Sequence, residues 1–339
     1  MPDGDADASR ERNFSPWASW QLALESTEPE LPIPPDDDAI PGWRARVRAE
    51  LTELLGDFPR QVPLALEQLE SVDCGSYRRE RVVFDAEPTM SVPAYLLVPK
   101  NRTEPGSAVL AVHGHGPGKD AVCGLAETPE HGAYAHELAE RGHLVLAPDL
   151  RCFGERADWQ PEDRYHCDLN LVHALMNGTN PLTQNLHDLV CALDVLEQHA
   201  LVDEERIGVA GISYGGTMTL FLAAWDARVR AAVVSGYFSS WRAAHRVPWN
   251  MCGSQVLWGM LGHIEHADIA ALIAPRPLLI ESGTEDLIFP VDAARASFAE
   301  LERVYRAFKA PHGALEHVVF EGGHEWHGAE AYAFLDRWL

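Results

Sequence analysis

Residues 206–224 read RIGVAGISYGGTMTLFLAA, and this stretch decides the fold. Arg206–Ala210 has the short apolar character of a buried strand, and Thr217–Ala224 that of a buried helix. Between them lies Gly211-Ile212-Ser213-Tyr214-Gly215, a Gly-x-Ser-x-Gly turn in strand–turn–helix context. Such a turn holds its serine in a strained backbone conformation at the C-terminal edge of a sheet, with the hydroxyl exposed to a base. Glycines two residues before and after let strand and helix approach without Cβ clashes. Ser213 is therefore the candidate nucleophile; the competing reading is an ordinary glycine-rich connection.

A serine hydroxyl needs a base within hydrogen-bond reach and a third group to orient that base. In open α/β sheets such partners sit beyond the C-terminal ends of the strands. Asp286 follows the strand Pro277–Glu281 through Ser282-Gly283-Thr284-Glu285, with Glu285 as rival. His324 follows the strand Glu316–Phe320 after Gly322-Gly323, with His327 as rival, at the expected start of the last helix. The order Ser213, Asp286, His324 is that of an α/β-hydrolase triad.

The tetrahedral intermediate of acyl transfer needs backbone N–H donors. Tyr214, directly after the serine, supplies one candidate. The other lies in His113-Gly114-His115-Gly116-Pro117-Gly118-Lys119, after the strand Val109-Leu110-Ala111-Val112. His115 is the preferred donor, with Gly114 and Gly116 as alternatives. His113 reads as structural. The same run is not a phosphate loop, because Asp120 follows Lys119 where Ser or Thr is required.

Upstream, residues 1–40 form an acidic, proline-bearing arm, expected to be partly extended and pinned by Trp17 and Trp20. Residues 41–75 form a helical segment in which Trp43, Val47, Leu51 and Leu54 share a face, stopped at Gly56. Residues 76–339 form the main domain. It opens with an antiparallel pair, Arg79–Ala86 and Val92–Val98, and then alternates helices and strands. Residues 128–141 and 183–199 are expected helices. The pattern predicts a mostly parallel sheet of about eight strands with helices on both faces. Insertions at 150–181 and 236–267 are expected to overhang Ser213.

The 339 residues carry a formal charge of −24, with a sequence pI near 5.0. A surface so acidic repels nucleic acid and anionic lipid. Met1–Asp7 lacks the basic and apolar regions of a signal peptide, and no apolar run reaches membrane-span length. The expectation is a cytoplasmic chain acting on a small molecule, as monomer or homo-oligomer. The six cysteines, spread without a C-x-x-C pair, read as reduced buried thiols. His263-x-x-His266 lacks the H-E-x-x-H spacing, so neither metal nor cofactor is expected.

Taken together, the segments 113–118, 211–216, 283–290 and 322–327 resemble the α/β-hydrolase superfamily. More closely, they resemble its dienelactone-hydrolase-like and acetyl-xylan-esterase-like branch. Ala147–Arg156 and Ala274–Leu279 are similar to loops of that branch, and the resemblance covers about residues 40–339. Dienelactone hydrolases use a cysteine where this chain has Ser213. The resemblance therefore implies a serine esterase acting on a small acyl ester, such as an acetyl ester of a sugar or another alcohol. Gly114, Gly116, Arg151, Tyr237, Trp241 and Trp249 are candidate pocket residues, Arg151 alternatively pairing with Asp149 or Glu155. Competing readings are a prolyl-oligopeptidase-type peptidase or amidase, a C–C bond hydrolase, and a non-catalytic binding protein on the same fold. The N-terminal region is too short for a propeller and shows no blade-like repeat.

Overall fold

The computed structural model describes residues 12–158, 166–246 and 251–339. Among the described residues nine strands form one sheet: β1 (Glu67–Asp73), β2 (Tyr77–Glu87), β3 (Met90–Pro99), β4 (Gly106–Val112), β5 (Leu144–Pro148), β6 (Val202–Ile212), β7 (Val229–Ser235), β8 (Leu278–Gly283) and β9 (Leu315–Phe320). Their order is β1-β2-β3-β5-β4-β6-β7-β8-β9. The β1–β2, β2–β3 and β3–β5 pairs are antiparallel, and every pair from β5–β4 to β8–β9 is parallel. The strand beyond the expected eight is β1. As an edge strand it is exposed along nearly its whole length, so it carries no apolar alternation to read.

The helices are α1 (Pro16–Ser26), α2 (Ile40–Leu55), α3 (Lys119–Val122), α4 (Tyr134–Glu140), α5 (His166–Met176), α6 (Pro181–Glu197), α7 (Tyr214–Trp225), α8 (Trp241–Ala244), α9 (His266–Ala271), α10 (Val291–Ala307) and α11 (Ala331–Trp338). Alternate strand residues face opposite sides, so the sheet separates two cores. Leu110, Val112, Leu144 and Leu146 pack with α2, α6, α7, α9 and α10. Val109, Ala111, Val145 and Ala147 pack with α4 and α11.

Three local expectations are corrected. The arm contains α1, capped by the Ser15 side chain at the Ala18 amide and started by Pro16. It is held by buried Leu24 and by Arg242, which donates to the Leu24, Glu25 and Thr27 carbonyls, while Trp17 and Trp20 stay largely exposed. The helix expected over 128–141 begins only at Tyr134, because Gly132 (φ 59°) and Ala133 (φ 50°) turn the chain left-handed. Glu325-Trp326-His327 lies in a loop ahead of α11.

The chain leaves β4 for β5 on one side and enters β6 on the other. This reversal opens a crevice beyond the C-terminal ends of β4 and β6, where open α/β sheets bind ligands. The loop after β4 and the turn at Ser213 form its walls. A buried cluster braces the first wall: Asp149, just after β5, accepts from the Lys119 amide (2.8 Å), the Lys119 ammonium (2.6 Å) and the Glu155 amide (2.9 Å). Burial works against the Lys119 charge, but Asp149 and Glu155 outweigh it and raise its pKa.

The tightest packing lies at the second wall. A Cβ on Gly215 would stand 1.9 Å from the Val112 carbonyl oxygen, whereas one on Gly42 in α2 would meet nothing within 4 Å. Gly215→Ala should therefore lower the unfolding free energy by about 2–3 kcal/mol in urea titrations. Gly42→Ala should leave it unchanged or raise it by about 0.5–1 kcal/mol. Equal effects would contradict the packing described.

Candidate active site

Ser213 adopts φ 58° and ψ −120°, a region that non-glycine residues occupy only when surrounding structure imposes it. The imposition is visible. The Ser213 amide donates to the Ser235 carbonyl (3.0 Å), and the Ser213 carbonyl accepts from the Thr217 amide (2.9 Å). Bulk is excluded on both sides, since a Cβ on Gly211 would stand 2.3 Å from the Gly215 carbonyl oxygen. Tyr214 opens α7, so its N–H has no acceptor within its own helix.

Asp286 lies in the loop after β8 and is buried, whereas Glu285 is exposed. One Asp286 oxygen accepts from the Ile288 (2.8 Å) and Phe289 (3.0 Å) amides. The other lies 2.8 Å from His324 Nδ1. The amides thus set the carboxylate, and the carboxylate sets the ring with its proton on Nδ1 and its lone pair on Nε2. His324 Nε2 is buried with no hydrogen-bond partner among the described residues. Burial disfavours the charged ring, but the bond to Asp286 and the charges of Asp286 and Glu130 outweigh it, so the His324 pKa is raised. His327, the rival, stacks on Phe320 at 4.4 Å and faces Glu330.

Glu130 is the residue that sequence reading missed. Its carboxylate lies 3.7 Å from His324 Nε2, on the Ser213 side of the crevice. Burial raises its pKa, with His324 acting in the opposite direction. The Glu130 carbonyl also accepts from the Trp326 amide (2.7 Å), which fastens this turn to the His324 loop. The available signal was Pro129 and Gly132, which break any helix through this point.

On the other wall, His113 is structural: Nδ1 lies 2.7 Å from the Gly114 carbonyl, and Nε2 accepts from the Leu150 amide (2.9 Å). The Gly114 amide donates to His131 Nε2 (3.0 Å), which removes it as an oxyanion donor. Burial lowers the His131 pKa to about 4, so its ring is neutral and able to accept. His115 and Tyr214 stay side by side, with rings 5.2 Å apart. His115 and Gly116 line a cleft of about 890 Å³ that runs to Arg81, Tyr95, Phe153 and His166.

The candidate pocket residues separate. Arg151 is buried and binds Asp188 (2.8 and 2.9 Å) and Glu87, so its partners are neither Asp149 nor Glu155. Tyr237 is buried, stacked on His266 and edge-on to Phe289. Trp241 is fully buried and donates to the Ile264 carbonyl. Both pack the base of the 236–267 insertion. Trp249 lies outside the described residues. His263 and His266 do not converge: the first faces Glu50 at 2.7 Å, and the second accepts from the Ser239 amide.

The sequence model described as "Abhydrolase family" matches residues 5–301, and the chain belongs to that family. A Bacillus subtilis (strain 168) protein named "Putative hydrolase YtaP" is 29% identical over 315 residues, covering 87% of this chain and 100% of the relative. The crystal structure titled a "putative acetyl xylan esterase (BF1801)" from Bacteroides fragilis superposes with a TM-score of 0.77 at 20% identity, over 93% of this chain and 84% of that one. A glucuronoyl esterase from Solibacter usitatus superposes with a TM-score of 0.69 at 16% identity, over 91% and 97%. These likenesses establish the fold.

In NMR titrations of histidine-labelled protein, His324 should titrate above the ordinary imidazole value of 6.5. Asp286→Asn should bring it down by removing the bond and charge that raise it. An unmoved titration in that variant would contradict the geometry.

Proposed function

We propose that the chain is a serine hydrolase cleaving a carboxylic ester through Ser213, His324 and Asp286. The observation that carries this reading is the strained Ser213 turn, set in one crevice with an imidazole whose Nδ1 is fixed by a buried carboxylate. His324 Nε2 takes the Ser213 proton as the hydroxyl attacks the acyl carbon. The His115 and Tyr214 amides stabilise the oxyanion. Asp286 stabilises the imidazolium, which then protonates the departing alcohol. Water, activated by the same nitrogen, hydrolyses the acyl-enzyme.

His324 Nε2 has no hydrogen-bond partner among the described residues, so its bond to the Ser213 hydroxyl forms as substrate enters, consistent with catalytic hydrogen bonds that tighten only in the complex. The acyl group is small and the alcohol is a sugar or other hydroxyl compound. Support comes from the names of the structural neighbours and from the open cleft beside His115, edged by Arg81, Tyr95 and His166.

Ser213→Ala should lower kcat on its best ester by about 10³-fold or more; near-normal turnover would overturn the assignment. Asp286→Asn should cost far more than Glu285→Gln, and the reverse ranking would move the acid. A neutral His324 is required as base, so kcat/KM should fall as pH drops through its raised pKa. Glu130→Gln removes a charge that holds this pKa up, so it should shift that limb to lower pH. Short-chain p-nitrophenyl esters and acetylated sugars should be cleaved in preference to aminoacyl amides. Preference for the amides would favour the peptidase reading.

A further inference from the structure

Three residues far apart in sequence bring soft donor atoms to one point. His115 lies in the loop after β4, Cys167 in the first turn of α5, and Cys252 in the 236–267 insertion, directly ahead of the Gly253–Gln255 helical turn. His115 Nε2 is 3.3 Å from Cys252 Sγ and 3.9 Å from Cys167 Sγ, and all three donor atoms lie within 4.8 Å of one another. Two ligands on a tetrahedral zinc ion, with Zn–S near 2.3 Å and Zn–N near 2.0–2.1 Å, stand about 3.6 Å apart. The two N···S distances bracket that value.

We propose that His115, Cys167 and Cys252 form a Zn²⁺ site that clamps both insertions to the loop beside Ser213. The surroundings fit such a site. Both cysteines are buried, and the Phe153 and Tyr214 rings flank the imidazole at 5.4 and 5.2 Å. Asp168, beside Cys167, accepts from the Gly253 amide (2.9 Å), so the backbones carrying the two sulfurs are already fastened together. His115 is partly exposed to the cleft of about 890 Å³, which gives the ion a path. Nitrogen with two thiolates is a zinc donor set, and a water completes the tetrahedron. Uptake converts two thiols to thiolates and releases two protons. Because protons are released on binding, affinity should fall with falling pH.

The full-length protein is equilibrated with Zn²⁺ under reducing conditions, desalted and analysed for metal; a parallel sample is titrated with Co²⁺. The expected result is one tightly held Zn²⁺ per chain and a near-ultraviolet thiolate-to-cobalt charge-transfer band. Zinc should also raise Tm, since it binds only the folded chain. Cys252→Ser should lose the retained metal and weaken the band, while His263→Gln keeps both. A wild-type chain that emerges metal-free, or that binds Co²⁺ without the thiolate band, overturns the proposal whether or not the variants fold. Retention of Zn²⁺ by folded Cys252→Ser overturns it equally. Ser213→Ala should bind zinc like the parent, which separates this result from the fate of the esterase reading.

Discussion

The positive φ of Ser213 is the constraint on which the rest of the crevice depends. A β-carbon at this dihedral costs of order 1–3 kcal/mol and persists only where neighbours over-determine it. Here they do so through absence of bulk. Gly211, Gly215 and Gly216 let β6, β4 and α7 close to distances that side chains would forbid. The amide of Ser213 is tied to β7, and its carbonyl starts the α7 hydrogen-bond ladder. The same closeness sets the loop after β4 against the turn: a Cβ on Gly114 would stand 3.1 Å from that of Ser213. Without the glycines the two walls would separate and the site would have no geometry to offer.

Around that point the molecule uses carboxylates in different ways. Asp286 is oriented by two amides and spends its remaining oxygen on His324. Asp149 is buried against Lys119 and holds the loop after β4, a role in which loss of either partner would strand a charge. Glu130 stands 3.7 Å from His324 Nε2 and adds negative charge that favours the imidazolium. Burial and partnering, rather than residue type, separate these roles.

Sequence reading reached the parallel half of the sheet because β4, β5, β7, β8 and the Ile207–Ile212 half of β6 are short, buried apolar runs. It could propose Ser213, Asp286 and His324 because each lies within a few residues of a strand end, where local pattern fixes position. It failed where tertiary partners decide. The exposed edge strand β1 has no alternation, and α5 lies inside a polar insertion. Glu130 faces His324 from a turn in which left-handed residues at Gly132 and Ala133 delay α4. Cys167 and Cys252, which look unrelated along the chain, meet His115 because both insertions fold over the same strand ends. No spacing rule could have joined positions 115, 167 and 252.

Reaction of the intact protein with a fluorophosphonate, followed by mass spectrometry of the peptides, tests the central claim most directly. The account predicts a single stoichiometric adduct on Ser213, formed faster as pH rises through the pKa of His324 and abolished in unfolded protein. A folded protein that acquires no adduct, or acquires it on another serine, would contradict it.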